Sequence, residues 1–161
     1  MALVHSAHAS DGWPPLFPAD VARFITPPYE RSAWVAVADD GTIVGHVALH
    51  EVGDDALGDA IVDAAGCTRD QLAVLARLVT SHRVRGAGLG SRLLDTACAA
   101  ALAEGCRAAL DVAHVNAAAV EFYEHRDGWT RASSVLLTLP DGRSKDAWIY
   151  LGPEPGHPGG R

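Results

Sequence analysis

From Ser81 to Leu94 the chain reads Ser-His-Arg-Val-Arg-Gly-Ala-Gly-Leu-Gly-Ser-Arg-Leu-Leu. Gly86, Gly88 and Gly90 open backbone dihedrals closed to other residues and let a ligand come close to the main chain. An apolar run, Leu72 to Val79, leads into this stretch. Leu89, Leu93 and Ala97 leave it at helical spacing, with Ser91, Arg92, Asp95 and Ala99 on the other side. The glycines therefore sit where a strand turns into a helix. The first turn of such a helix has unpaired N–H groups and a partial positive charge, and Arg83 and Arg85 add fixed charge. That is chemistry for a phosphate or pyrophosphate. The spacing is not the dinucleotide fingerprint G-x-G-x-x-G, and Gly90-Ser91-Arg92 lacks the Lys of a Walker loop. A glycine-rich turn that binds nothing stands as the other reading.

A second segment carries its own chemistry. Glu104-Gly105 ends the helix, with Gly in a usual stop position, and Ala108 to Val112 reads as a buried strand. Asn116 then opens Asn-Ala-Ala-Ala-Val-Glu-Phe-Tyr-Glu, followed by Gly128-Trp129. Asn is a natural N-cap, and Ala119 and Tyr123, four apart, share a helical face.

Arg85-Gly86-Ala87-Gly88-Leu89-Gly90 resembles the R-x-x-G-x-G signature of the GNAT superfamily of N-acetyltransferases. Asn116, Ala119 and Tyr123 match its N-x-x-A-x-x-x-Y segment, in the right order and at the right separation. The match covers roughly Trp34 to Leu151. It implies an α/β (α+β) acyltransferase fold, a mixed, mostly antiparallel central sheet flanked by helices, and acetyl-coenzyme A as co-substrate. By the resemblance, Arg85, Gly86, Ala87, Gly88, Leu89 and Gly90 cradle its pyrophosphate. Asn116 and Ala119 contact the pantetheine arm, and Tyr123 lies beside the sulfur. Leu78, Val79 and Thr80, on the central strand, offer backbone groups to the pantetheine amides, and the Val79 N–H contacts the acetyl oxygen. Two departures stand out. Glu124-His125-Arg126-Asp127 places one extra residue before Gly128-Trp129, which predicts a longer helix end. The opening strand of the family is expected to be missing, since Leu3 to His8 reads as the tail of its first helix; either the start is placed too late or the sheet keeps an uncovered edge.

Acetyl transfer to an amine by direct attack needs the thioester held, its carbonyl polarised, the amine neutral and the departing thiolate protonated. Tyr123 is the candidate general acid, because a Tyr of pKa about 10 holds its proton at neutral pH; an ordinary aromatic on a helix face is its plainer reading. Leu72 to Leu78 holds no Glu to act as base. His50, Glu51 and His82 are the nearby candidates, and water or an amine of low pKa would need none. His46 and His50 fall on a strand, where an i, i+4 pair does not form a helical metal site, so no metal is expected. Trp13, in Asp11-Gly12-Trp13-Pro14-Pro15, either stacks on an acceptor or plugs the core. A non-catalytic acyl-coenzyme A sensor on the same fold is the rival function.

The 161 residues fit one domain, read as 1–152 followed by a disordered Pro- and Gly-rich tail at 153–161. A net charge of −7 argues against general nucleic-acid affinity. The chain has no apolar stretch near the roughly 20 residues of a membrane span and no basic-then-apolar leader. Cys67, Cys98 and Cys106 read as reduced thiols in a cytoplasmic protein. The expected partner is a small-molecule or peptide amine, and a homodimer is left open. Asp39 to Asp70 is acidic but for Arg69, and Arg77 to Arg92 is basic, which suits an anionic coenzyme and a cationic acceptor as well as it suits solvated loops. The remaining elements read as a helix from Asp20 to Ile25, strands Ala33–Ala38 and Thr42–Leu49 around a hairpin, and a helix from Leu57 to Ala64. Strands Thr130–Leu139 and Lys145–Leu151, around Pro140-Asp141-Gly142, close the pattern.

Overall fold

Turn chemistry sets the element borders in the computed structural model, which describes residues 2–14, 17–139 and 141–156. The elements are α1 (Ala2–Asp11), α2 (Val21–Ile25), β1 (Glu30–Val37), β2 (Ile43–His50), α3 (Ala56–Ala65), β3 (Leu72–Thr80), α4 (Leu89–Ala103), β4 (Arg107–Ala113), α5 (Ala117–Glu124), β5 (Thr130–Thr138) and β6 (Ser144–Leu151). Six strands hydrogen-bond in the order β1-β2-β3-β4-β6-β5. β1 with β2, β4 with β6 and β5 with β6 are antiparallel, and β3 with β4 is parallel. This is the mixed, mostly antiparallel sheet flanked by helices that the resemblance implies. The parallel register covers Leu72–Val74 against Arg107–Ala109.

By contact the residues group into two compact units, Met1–His50 with Leu75–Ala99, and Glu51–Val74 with Ala100–Arg161. In the first unit the β1–β2 hairpin closes where Asp39-Asp40-Gly41 requires it. The Ala38 N–H donates to the Thr42 carbonyl at 2.8 Å, and Gly41 takes φ +82°. Asp20 caps α2 by accepting from the Arg23 N–H at 2.9 Å, and Pro27-Pro28 blocks further helix. On α1, Leu3 and Ala7 are buried and pack with Val79, and the half-buried Trp13 lies against them. Gly45 of β2 lies under α4: a Cβ there would come within 2.7 Å of Leu93 Cδ1 and 3.3 Å of Leu89 Cδ2. A bare backbone lets the helix settle on the strand.

In the second unit, Ile61 of α3 is fully buried on Leu72, Ala109, Ile149 and Leu151. Side chains of this size contribute about 1.5–3 kcal/mol each when removed from water. Asp55 caps α3 through the Gly58 N–H at 2.8 Å. Gly58 is fixed by sterics, since a Cβ there would lie 1.9 Å from the Gly53 carbonyl oxygen. Much of the acidic run is spent on this corner. Arg69 donates to the Gly53 carbonyl at 2.8 Å, approaches Asp54 at 3.2 Å and pairs with Asp59.

Two expectations need correction. α5 does not lengthen to absorb the extra residue before Gly128. It stops at Glu124, and 125–128 form consecutive turns in which the Arg126 N–H bonds to Tyr123 O at 3.2 Å and Trp129 N–H to Arg126 O at 3.2 Å. Gly128 at φ +80° makes that tight path available. The β1 strand also starts earlier than expected, at Glu30, with Glu30 paired opposite His50. In the hairpin after β5, Pro140 lies outside the described residues, as do 157–161 of the tail; the Leu139 N–H reaches Arg143 O at 2.7 Å. Within the described part of that tail, Glu154 approaches Arg107 at 3.3 Å.

Candidate functional site

β3 runs into a 3₁₀ turn at His82–Val84, and its last residues are pinned by the Ser81 N–H donating to Val44 O at 2.8 Å. The chain then turns through Gly86 at φ +79° and Gly88 at φ +74°. Both values fall in the left-handed region that favours glycine. At either position a Cβ would meet nothing within 4 Å. The main chain there faces open space, which is what a loop built against a ligand requires. Gly90 differs from its two companions: it is the second residue of α4, inside the helix. The Gly88 carbonyl accepts from the Arg92 N–H at 3.1 Å, so α4 begins as the loop ends. Gly86 to Gly90 thus deliver the unpaired N–H groups of a fifteen-residue helix to an exposed backbone.

The Arg85 charge is not free. Its Nη1 donates to Asp11 Oδ1 at 2.9 Å, and Nη2 pairs with Oδ2. Arg85 beside it holds the Asp11 carboxyl below the usual carboxylate range, against the opposing effect of burial; Ser10 and the His82 charge add to the lowering.

In the second unit, Asn116 caps α5 as expected, its Oδ1 accepting from the Ala119 N–H at 3.2 Å. That bond fixes the helix whose other end carries Tyr123. The Tyr123 side chain is 7% exposed, with ring centroids of Trp129 and Tyr150 each 5.7 Å away and Phe122 at 5.1 Å. Burial, then the charge of Asp111, pushes its phenol well above the ordinary tyrosine value. Tyr150 donates to Glu124 at 3.2 Å, and Glu124 also accepts from Arg131 at 3.1 Å, which tethers the end of α5.

The sequence pattern of the Acetyltransferase (GNAT) family matches residues 4–129. The chain belongs to this family. Among solved structures, the fold is similar to a protein assigned as a phosphinothricin N-acetyltransferase, with 18% identity over 95% of this chain and 89% of that one and a TM-score of 0.66. It is also similar to the ribosomal-protein-S18-alanine N-acetyltransferase from Escherichia coli, with 20% identity, 94% and 83% coverage and a TM-score of 0.62. A third similar structure is a Bacillus anthracis str. Ames protein assigned as a streptothricin acetyltransferase, in complex with acetyl coenzyme A. It shares 19% identity over 79% of this chain and 64% of that one, with a TM-score of 0.57. No curated protein sequence matches the chain. The chain is therefore an acetyltransferase of the GNAT family.

In this GNAT chain the candidate bases part company. Glu51 and His82 are exposed, whereas His50 is buried at 4% exposure, edge-on to Tyr29 at 5.2 Å, with its Nε2 sealed in and unpartnered. Burial first, then the charges of Arg77 and His46, lowers His50 to about 4. It is a weak base held neutral. The unfolded chain takes up a proton there below about pH 6.5 and the folded protein does not, so acid favours unfolding. Stability should fall as pH drops from 6.5 to about 4, by up to about 1.4 kcal/mol per pH unit from this residue. Urea titrations across that range check it, and His50→Phe should remove this part of the slope.

Arg77, counted from the sequence in the basic stretch that suits an anionic coenzyme, shapes β3. It sits at φ +53°, a left-handed strain of roughly 1–2 kcal/mol for a residue with a Cβ. Its Nε donates to the Phe24 carbonyl, its guanidinium lies 4.1 Å above the Phe24 ring, and its carbonyl accepts from His46 Nδ1 at 3.0 Å. His46 is thereby a structural donor. Phe24, Tyr29 and Arg77 line an open cleft of about 310 Å³. Among the described residues no helix is long and apolar enough to cross a membrane, and no group of three or more His, Cys, Asp or Glu is placed to hold a metal ion.

Proposed function

We propose that this GNAT chain works as one catalytic domain that transfers the acetyl group of acetyl-coenzyme A to a primary amine by direct attack. The Gly86–Gly88 backbone carries the reading. It is held in left-handed turns, open on the Cβ side, and it feeds the N-terminus of α4. Exposed N–H groups feeding the positive end of a helix suit an extended diphosphate. The N–H groups of Gly86, Ala87, Gly88, Leu89 and Gly90 would hold it. Leu78, Val79 and Thr80 lie beyond the three residue pairs of the β3–β4 register, so their backbone groups suit the pantetheine amides. The Val79 N–H would polarise the thioester carbonyl. Asn116 and Ala119 would contact the pantetheine arm.

The neutral amine nitrogen forms a bond to the carbonyl carbon, the C–S bond breaks, and the amine gives up a proton. Tyr123 donates its hydroxyl proton to the departing sulfur and regains one from solvent. His50 is held neutral as a weak base, so the amine proton goes to water or to the exposed Glu51 or His82. The acceptor is a small-molecule or peptide amine. The deep burial of Tyr123 favours one rival, an acyl-coenzyme A-binding module that does not turn over.

Calorimetry with coenzyme A and acetyl-coenzyme A, paired with thiol release over a panel of amines, tests the proposal. Expected are saturable binding and amine-dependent thiol release. Binding with no release on any amine would establish the sensor. Absence of binding would remove both readings.

A further inference from the structure

Asp11 is the last residue of α1, and its carboxylate takes two N–H groups of Arg85, 74 positions along the chain. Bidentate pairs of this kind are the stronger class of ion pair, and the two side chains are 31% and 47% exposed, so water competes only in part. Arg85 directly precedes Gly86, the first glycine of the open loop. Two residues beyond Asp11, Trp13 packs on the cluster that holds the Val79 side chain. One short segment therefore grips both the cation beside the loop and the strand residue placed at the thioester.

The carboxylate stays ionised through neutral pH, because the Arg85 hydrogen bond, with Ser10 and His82 assisting, holds it below its ordinary value. A diphosphate seated on the Gly86–Gly88 N–H groups would meet an arginine whose charge is already spent. Resting on the coenzyme reading above, we propose that Asp11 is an internal competitor for the coenzyme's phosphates. Its carboxylate occupies Arg85 in the free protein and yields at least one N–H to the diphosphate on binding, so Asp11 sets coenzyme affinity downward. The residue acts through Arg85, so it is a positioning residue.

The test is a cycle of Asp11→Asn, Arg85→Gln and the double variant, with coenzyme A affinity measured by calorimetry and folding checked by melting temperature. Asp11→Asn should tighten coenzyme A binding about fivefold, which converts to about 1 kcal/mol, the scale of an exposed ion pair. Arg85→Gln should weaken binding, and in that background Asp11→Asn should bring no gain. The gain should also shrink as salt rises. Unchanged or weaker binding by a folded Asp11→Asn variant would overturn the proposal, since a mere anchor for the loop gives that result. A gain that persists without Arg85 would overturn it too, by showing simple repulsion of the phosphates. Parent protein that binds no coenzyme A would instead sink the coenzyme reading itself.

Discussion

Tyr123→Phe should lower turnover by about 10²–10⁴, the usual worth of a positioned acid, while acetyl-coenzyme A affinity stays near that of the parent. The substitution keeps the ring that packs between Trp129 and Tyr150 and deletes the hydroxyl alone. For an ordinary tyrosine, protonating a thiolate of pKa about 8.5 is uphill by about 2 kcal/mol. Burial and Asp111 raise the phenol further, so complete transfer is harder than that. The proton must then move as the C–S bond breaks, when charge on sulfur is growing. Tyr123 also keeps its proton into strongly alkaline solution, so the pH profile of turnover should show no alkaline limb from it. Thiol release under saturating substrates and calorimetry of the same variant separate the outcomes. Loss of both rate and binding would assign the hydroxyl to holding the coenzyme. A parent-like rate would make Tyr123 a packing residue, as its three aromatic neighbours permit.

Gly88→Val should weaken coenzyme binding tenfold or more, about 1.4 kcal/mol or larger. At φ +74° a branched side chain is strained, and its methyls would fill the space that lies open within 4 Å of the Cβ position. Strain and obstruction are separable. Gly41 has φ +82° and equally open surroundings, but it sits in the β1–β2 hairpin. Gly41→Val should cost stability and leave coenzyme affinity alone. If the two variants lose affinity alike, the effect is backbone strain spreading through the unit. If Gly88→Val binds normally while folded, the loop is not the phosphate site.

What the sequence made legible was local. The Gly86–Gly88 turn, the Asn116 cap and the Gly41 hairpin each depend on residues within four positions, so spacing alone exposes them. The end of α5 was misjudged because Gly128 offers two outcomes for one extra residue, a longer helix or a tighter turn, and the 125–128 path decides between them. The Asp11–Arg85 pair and the Arg77–Phe24 contact were invisible, since they join positions 74 and 53 apart and leave no periodic trace. The open charge assigned to Arg85 followed from that blindness. His50 reads in sequence as one more strand histidine, and only its sealed Nε2 shows how far it is from solvent.

Gly45 places a remote constraint on the helix that follows the Gly86–Gly88 loop. The hollow it leaves in β2 receives Leu89 and Leu93, and Leu89 is the residue on which α4 begins. A Cβ at position 45 would press on the ends of the Leu93 and Leu89 side chains, not on the helix backbone. A methyl added at that point would displace those leucine ends first, and the first turn of α4 would move by whatever the packing around them does not absorb. On the coenzyme site proposed above, affinity would drift with substitution at this buried strand position. A homologue with Ala or Ser at position 45 would be expected to carry a compensating smaller residue at 89 or 93.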